Sequence, residues 1–177
     1  MPDALPPVTL ILGGQRSGKS RLAETLIEDA AGGGLYLATA EARDGEMTDR
    51  IAHHRARRGP DWETIEEPLD ILGQIREHAA PGRPILVDCL TLWLSNLMEA
   101  GRDPDAEAEA LALGLDGVAG PVVFVSNEVG LGVIPANALA RAFVDAAGRI
   151  NQRLAQRADR VVFTAAGLPL VLKGSPL

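Results

Sequence analysis

Residues 13–20 read Gly-Gly-Gln-Arg-Ser-Gly-Lys-Ser, directly after the apolar run Val8-Thr9-Leu10-Ile11-Leu12 and directly before a stretch in which Leu22, Leu26 and Ile27 recur at helical spacing. Few folds place such a loop between such elements. An apolar strand that ends on two glycines and turns straight into a helix curls successive backbone N–H groups toward one point, where the helix N-terminus adds its partial positive charge. Lys19 can neutralise the β and γ oxygens of a bound phosphate chain, and the Ser20 hydroxyl can reach a Mg²⁺ ion. The G-x-x-x-x-G-K-S spacing is thus that of a loop that cradles a nucleoside triphosphate.

The same loop dictates the next elements. The helical pattern stops at Gly32-Gly33-Gly34, and Leu35-Tyr36-Leu37-Ala38 reads as a second strand, which completes a βαβ unit. Beyond it, Met47 and Ile51 predict a helix over 46–58 that Gly59-Pro60 ends. Trp62 to Ile65 reads as a short strand, Leu69 to His78 as a helix, Ile85 to Asp88 as a core strand, and Leu90 to Met98 as a mostly buried helix. Arg102 to Leu115 is acidic and alanine-rich, with Pro104 near its start, and reads as a solvated surface helix. Val122 to Ser126 is a strong fourth strand, followed by the loop 127–132. Leu139, Phe143, Ala146, Ile150 and Leu154 mark one long amphipathic helix. A further strand spans Arg160 to Ala165, and Gly167-Leu168-Pro169 turns the chain back into Leu170 to Leu172. Strands alternating with helices predict an α/β fold of three layers, with a mostly parallel central sheet.

Composition narrows the function. A chain of 177 residues with 46% hydrophobic content forms one core, so a single domain is expected over 1–177, with the Pro-rich residues 1–7 as a flexible tail. The formal charge of −7 argues against general binding to nucleic acid or to anionic membranes. The N-terminus has neither a basic nor a long apolar region, the lone Cys89 cannot form an intrachain disulfide, and Ile85 to Met98 falls short of the ~20 apolar residues of a membrane span. A cytoplasmic protein without membrane insertion is the expectation. Of the 17 basic residues only Lys19 and Lys173 are lysine, so the compact ammonium in the glycine-rich loop stands out against an arginine background.

Two further features carry chemistry. Asp88, at the end of an apolar strand, is placed to hold Mg²⁺ directly or through water, although an Asp there can also cap the next helix. Two of the three histidines, His53 and His54, stand side by side on the helix expected over 46–58. Counting by threes and fours, His53 shares a face with Arg50 and Arg57, whereas His54 falls on the stripe of Met47 and Ile51. An imidazole between two guanidinium groups suits attack on an α-phosphate, because nearby cations keep it neutral and bind the phosphate oxygens during transfer.

These residues, together with Trp62, the loop Asn127-Glu-Val-Gly-Leu-Gly (127–132), Pro135 and Gly148-Arg-Ile-Asn-Gln-Arg-Leu-Ala (148–155), give the chain a close resemblance to the CobU/CobP family of adenosylcobinamide kinase / adenosylcobinamide-phosphate guanylyltransferases. The resemblance covers nearly the whole sequence. It implies a RecA-like P-loop domain assembled as a homotrimer, acting on the corrinoid adenosylcobinamide with ATP, GTP and Mg²⁺. It further implies a guanylylated histidine at His53 and nucleotide contacts by Gly13, Gly14, Gln15, Arg16, Ser17, Gly18, Lys19 and Ser20. Contacts by Ala38, Thr39 and Ala40, by His54, Arg55, Ala56 and Arg57, and by Glu66 and Asp88 are implied in the same way. Glu128 has two readings, one in orienting Mg²⁺ or a substrate hydroxyl and one in shaping its own loop. From the residues alone, two other classes stay open: a single-activity kinase of another small alcohol, in which the arginine-rich helix closes over phosphates, and a nucleotide-dependent regulatory switch.

Overall fold

A computed structural model of the chain describes residues 4–40 and 59–177. The helix expected over 46–58, with His53, His54, Arg55, Ala56 and Arg57, lies outside the described residues. Seven strands form one sheet: β1 (Val8–Gly13), β2 (Gly34–Ala38), β3 (Trp62–Glu66), β4 (Ile85–Asp88), β5 (Val122–Asn127), β6 (Arg160–Ala165) and β7 (Leu168–Lys173). Their order is β3-β2-β4-β5-β1-β6-β7, and every pairing is parallel except that of β6 with β7. The sheet is therefore mostly parallel with a C-terminal antiparallel hairpin, as the alternation of strands and helices predicts.

Side chains of successive strand residues point to opposite faces, and both faces are covered. On one face Ile11, Tyr36, Leu86, Val123 and Val125 meet Ala23 and Ile27 of α1 (Lys19–Ala31). On the other, Leu10, Leu35, Leu37, Val87 and Phe124 meet the apolar sides of α2 (Ile71–His78), α3 (Leu90–Glu99), α4 (Pro104–Gly114) and α5 (Ala138–Arg157). Strands buried on both sides explain why β1, β2 and β5 read as near-continuous apolar runs.

Helix starts are set by side-chain caps. Asp70 accepts from the Gly73 N–H, which moves the start of α2 from the expected Leu69 to Ile71. Asp103 and Asn137 do the same for α4 and α5. The stretch expected to be a solvated helix is half of one: Ala108, Leu111 and Ala112 sit in the core, while its acids pair with α5 through Arg149–Asp105 at 2.8 Å and Arg153–Glu109 at 3.1 Å. Leu139, expected on the buried stripe of α5, is exposed; the buried side of that helix runs from Ala146 to Leu154. At the N-terminus Leu5 packs on the α1-side cluster, and the Pro7 carbonyl accepts from the Val122 N–H at 2.9 Å.

Candidate phosphate and metal site

Because β1 to β6 are parallel, their C-terminal ends share one edge of the sheet, and that edge carries the residues singled out by chemistry. Gly13, Ala38, Glu66 and Asp88 end β1, β2, β3 and β4. Register makes the neighbours explicit: Ala38 lies between Glu66 and Asp88, Gly13 pairs with Asn127, and β5 stands between the strand of the glycine loop and the strand of Asp88. A ligand in the crevice at this edge meets the helix N-terminus and the acidic strand end together.

The loop itself is anchored on both flanks. The Glu128 N–H donates to the Gly13 carbonyl at 2.9 Å, and the Gly167 N–H donates to the Ser17 carbonyl at 2.9 Å. Gly13 is required by closeness, since a Cβ there would overlap the Thr164 carbonyl oxygen and come within 2.6 Å of Ser17 Oγ. Gly18 has a φ of 101° and caps α1 without a side-chain acceptor. The first-turn N–H groups of α1 therefore open toward the loop with no capping side chain, the arrangement that receives an anion.

Lys19 is buried and curls back over its own loop, with Nζ donating to the Gly14 carbonyl at 2.6 Å. Burial lowers its pKa below the ordinary lysine value, and the charges of Cys89 and Asp88 oppose that shift, which puts the ammonium within electrostatic reach of Asp88. Asp88 is half-buried and accepts from the Tyr36 hydroxyl at 3.0 Å on Oδ2. Ser20 is also half-buried, so Asp88 offers a carboxylate and Ser20 a hydroxyl to a ligand at this edge. That is the hard, sparse donor set on which Mg²⁺ is held when phosphate oxygens and water complete its shell.

The other residues expected to contact the nucleotide have these surroundings. Thr39 is fully buried: its hydroxyl accepts from the Cys89 N–H at 2.9 Å and donates to the Cys89 carbonyl at 2.7 Å, while its own carbonyl accepts from Asn96 Nδ2 at 2.8 Å. Its side chain thus ties β2 to the peptide after Asp88. Ala40 is half-buried and Glu66 is exposed at the same edge. Glu128 turns onto its own loop, accepting from the Gly130 N–H at 2.8 Å. Cys89 is buried, and burial together with the Asp88 charge pushes its thiol up to about 11. Tyr36 escaped the sequence reading, although a lone tyrosine within an aliphatic strand was a visible signal.

Residues 9–172 match the family described as cobinamide kinase / cobinamide phosphate guanyltransferase. The chain belongs to that family. Among curated relatives, the bifunctional adenosylcobalamin biosynthesis protein CobP of Pseudomonas aeruginosa is 54% identical over 171 residues, covering 95% of this chain and 98% of that protein. The protein CobU of Salmonella typhimurium, named likewise, is 42% identical over 181 residues, covering 93% and 98%. Among solved structures, the flagellar accessory protein FlaH of Methanocaldococcus jannaschii aligns with a TM-score of 0.57 at 13% identity, over 97% of this chain and 80% of that one. That likeness concerns the fold alone. It agrees with the strand order in marking the cobinamide kinase / guanyltransferase chain as a RecA-like P-loop domain. No helix among the described residues is long and apolar enough to cross a membrane.

Proposed function

We propose that this chain is a bifunctional enzyme of cobalamin biosynthesis that phosphorylates adenosylcobinamide and then transfers GMP to the product. The observation that carries the reading is the 54% identity to a bifunctional CobP over nearly the full length of both chains. In the first reaction the aminopropanol hydroxyl oxygen attacks the γ-phosphorus of ATP or GTP, the bond to the β,γ-bridging oxygen breaks, and the nucleoside diphosphate leaves while the hydroxyl proton passes to solvent. In the second, a nitrogen of His53 attacks the α-phosphorus of GTP and expels pyrophosphate. An oxygen of adenosylcobinamide phosphate then attacks the same phosphorus, the P–N bond breaks, and adenosyl-GDP-cobinamide forms.

The residues divide this work. Gly13, Gly14, Gln15, Arg16, Ser17, Gly18 and Ser20 orient the phosphates through loop N–H groups, and Lys19 screens the charge that develops on the β–γ bridge. Ser20 and Asp88 would hold Mg²⁺, which supplies charge neutralisation across the β and γ oxygens when bound. His54, Arg55, Ala56 and Arg57 contact the nucleotide in this reading, and Ala38, Thr39, Ala40 and Glu66 border it from the ends of β2 and β3. The 177 residues act as one domain, assembled as a homotrimer in the cytoplasm. The exposed apolar residues Leu131, Val133 and Ile134 of the loop after β5, and Leu168, Leu170 and Leu172 of the edge strand β7, give such an assembly surface to cover.

The test is covalent labelling. Purified protein with Mg²⁺ and α-labelled GTP retains label after denaturation, γ-labelled GTP leaves none, and His53→Ala abolishes the α-label while His54→Ala keeps it. A protein that binds GTP yet never retains α-label is a single-activity kinase, and the guanylyltransferase half of the proposal is then wrong.

A further inference from the structure

The carboxylate of Asp88 is held by a residue two positions before the end of β2. Tyr36 pairs with Leu86 across the β2–β4 register, and its ring lies in the α1-side cluster beside Leu86 and Cys89. From there the phenol reaches two register positions toward the C-terminal edge and donates to Asp88 Oδ2 at 3.0 Å. Tyr36 is 7% exposed, so the donor works in a low-dielectric setting where a hydrogen bond to a carboxylate is strong. The residue that follows this strand also pins the backbone. The Thr39 N–H donates to the Asp88 carbonyl at 3.2 Å, and the Thr39 hydroxyl bridges both polar groups of Cys89. Strand β2 and the residue after it thus fix the Asp88 main chain and one of its two carboxylate oxygens.

We propose that Tyr36 is a positioning residue for the metal–nucleotide complex: it binds Oδ2 of Asp88 and so presents Oδ1 as the oxygen that meets Mg²⁺. The proposal rests on the reading of Asp88 as a metal ligand. An unbraced carboxylate can rotate about its terminal bond and offer either oxygen; the phenol removes that freedom before the ligand arrives. Groups that orient a metal ligand in this way typically change metal affinity or activity by about ten- to a hundredfold when removed. A tyrosine that merely fills the core and satisfies its own hydroxyl alters stability and leaves metal affinity alone.

The probes are Mn²⁺, followed by electron paramagnetic resonance, and a GTP analogue with a β,γ-imido bridge that is not cleaved. Tyr36→Phe is expected to weaken Mn²⁺ binding to the enzyme–nucleotide complex about tenfold. Asp88→Asn weakens it at least as much, and the double variant is no weaker than Asp88→Asn alone, because the phenol acts through the carboxylate. Wild-type Mn²⁺ affinity in Tyr36→Phe beside a weakened Asp88→Asn overturns the role of Tyr36 and leaves the metal reading standing. Wild-type affinity in Asp88→Asn overturns the metal reading and the proposal with it. Tyr36 is the chain's single tyrosine, so 3-fluorotyrosine labelling gives one ¹⁹F resonance in an otherwise native protein even where Tyr36→Phe folds poorly. That resonance shifts when Mg²⁺ is added to the nucleotide complex and stays fixed in Asp88→Asn; a resonance indifferent to Mg²⁺ in the wild type refutes the brace.

Discussion

Gly13 and Gly14 are adjacent in the phosphate loop, yet the structure assigns them opposite tolerance to a methyl group. A Cβ on Gly13 would overlap the Thr164 carbonyl oxygen and approach Ser17 Oγ at 2.6 Å, whereas no heavy atom lies within 4 Å of one on Gly14. The hydroxyl of Ser17 can swing away, but the Thr164 carbonyl cannot, because β6 is held in register along β1 from Thr9–Arg160 to Gly13–Thr164, and β1 is paired with β5 on its other side. Relief requires moving a strand end in the middle of the sheet. Overpacking of this kind costs about 1–3 kcal/mol. For a domain of this size each kcal/mol lowers the melting temperature by about 2–4 °C, so Gly13→Ala should melt about 2–12 °C below wild type. Gly14→Ala should stay within about 0.5 kcal/mol of wild type. Calorimetry without nucleotide measures the folding term alone, and repeating it with Mg²⁺ and GTP adds the binding term. Equal melting of Gly13→Ala and wild type, or equal loss in both variants, would refute the steric argument.

Two other outcomes follow from charge. Burial keeps the Lys19 pKa below its ordinary value, so the ammonium is carried at a cost in the empty site: Lys19→Met should melt at or above the wild-type temperature without ligand. The same variant should lose the stabilisation by GTP and at least about a hundredfold in turnover, as thermal shift and steady-state assays would read. The Cys89 thiol, pushed up to about 11 from an ordinary 9.0, deprotonates in the unfolded chain before it does in the folded one. Stability therefore falls as pH rises from about 9 to 11, by up to about 2–3 kcal/mol, and urea midpoints across that range should fall less steeply in Cys89→Ala.

The elements most legible in the sequence are those whose burial pattern is extreme. β1, β2, β4 and β5 are apolar on both faces, and the Gly13–Ser20 spacing fixes the loop and the start of α1 between them. The C-terminal hairpin was harder. Gly167-Leu168-Pro169 reads as the turn, but the turn is Ala166-Gly167, both at positive φ, and Pro169 lies within β7 opposite Thr164. A two-residue turn of this hand matches strand twist, and proline is tolerated because β7 is an edge strand with no further neighbour among the described residues. Site residues were legible where a motif fixes them and illegible where tertiary contact does. Lys19 follows from spacing; the bond from Tyr36 to Asp88 depends on β2 lying beside β4, which no local pattern reports. Thr39, which the family resemblance places among the nucleotide contacts, also binds both backbone polar groups of Cys89 through its hydroxyl, a tertiary role that no local pattern reports.

The two anchors of the phosphate loop come from far along the chain, one at Glu128 beyond β5 and one at Gly167 between β6 and β7. The strand that crowds Gly13, β6, is also among the last to be made. During synthesis the loop leaves the ribosome early, but the backbone that shapes it arrives only when the final hairpin does. A chain cut short before residue 167 carries the full motif in its sequence but lacks one of the two distant backbone anchors that hold the loop.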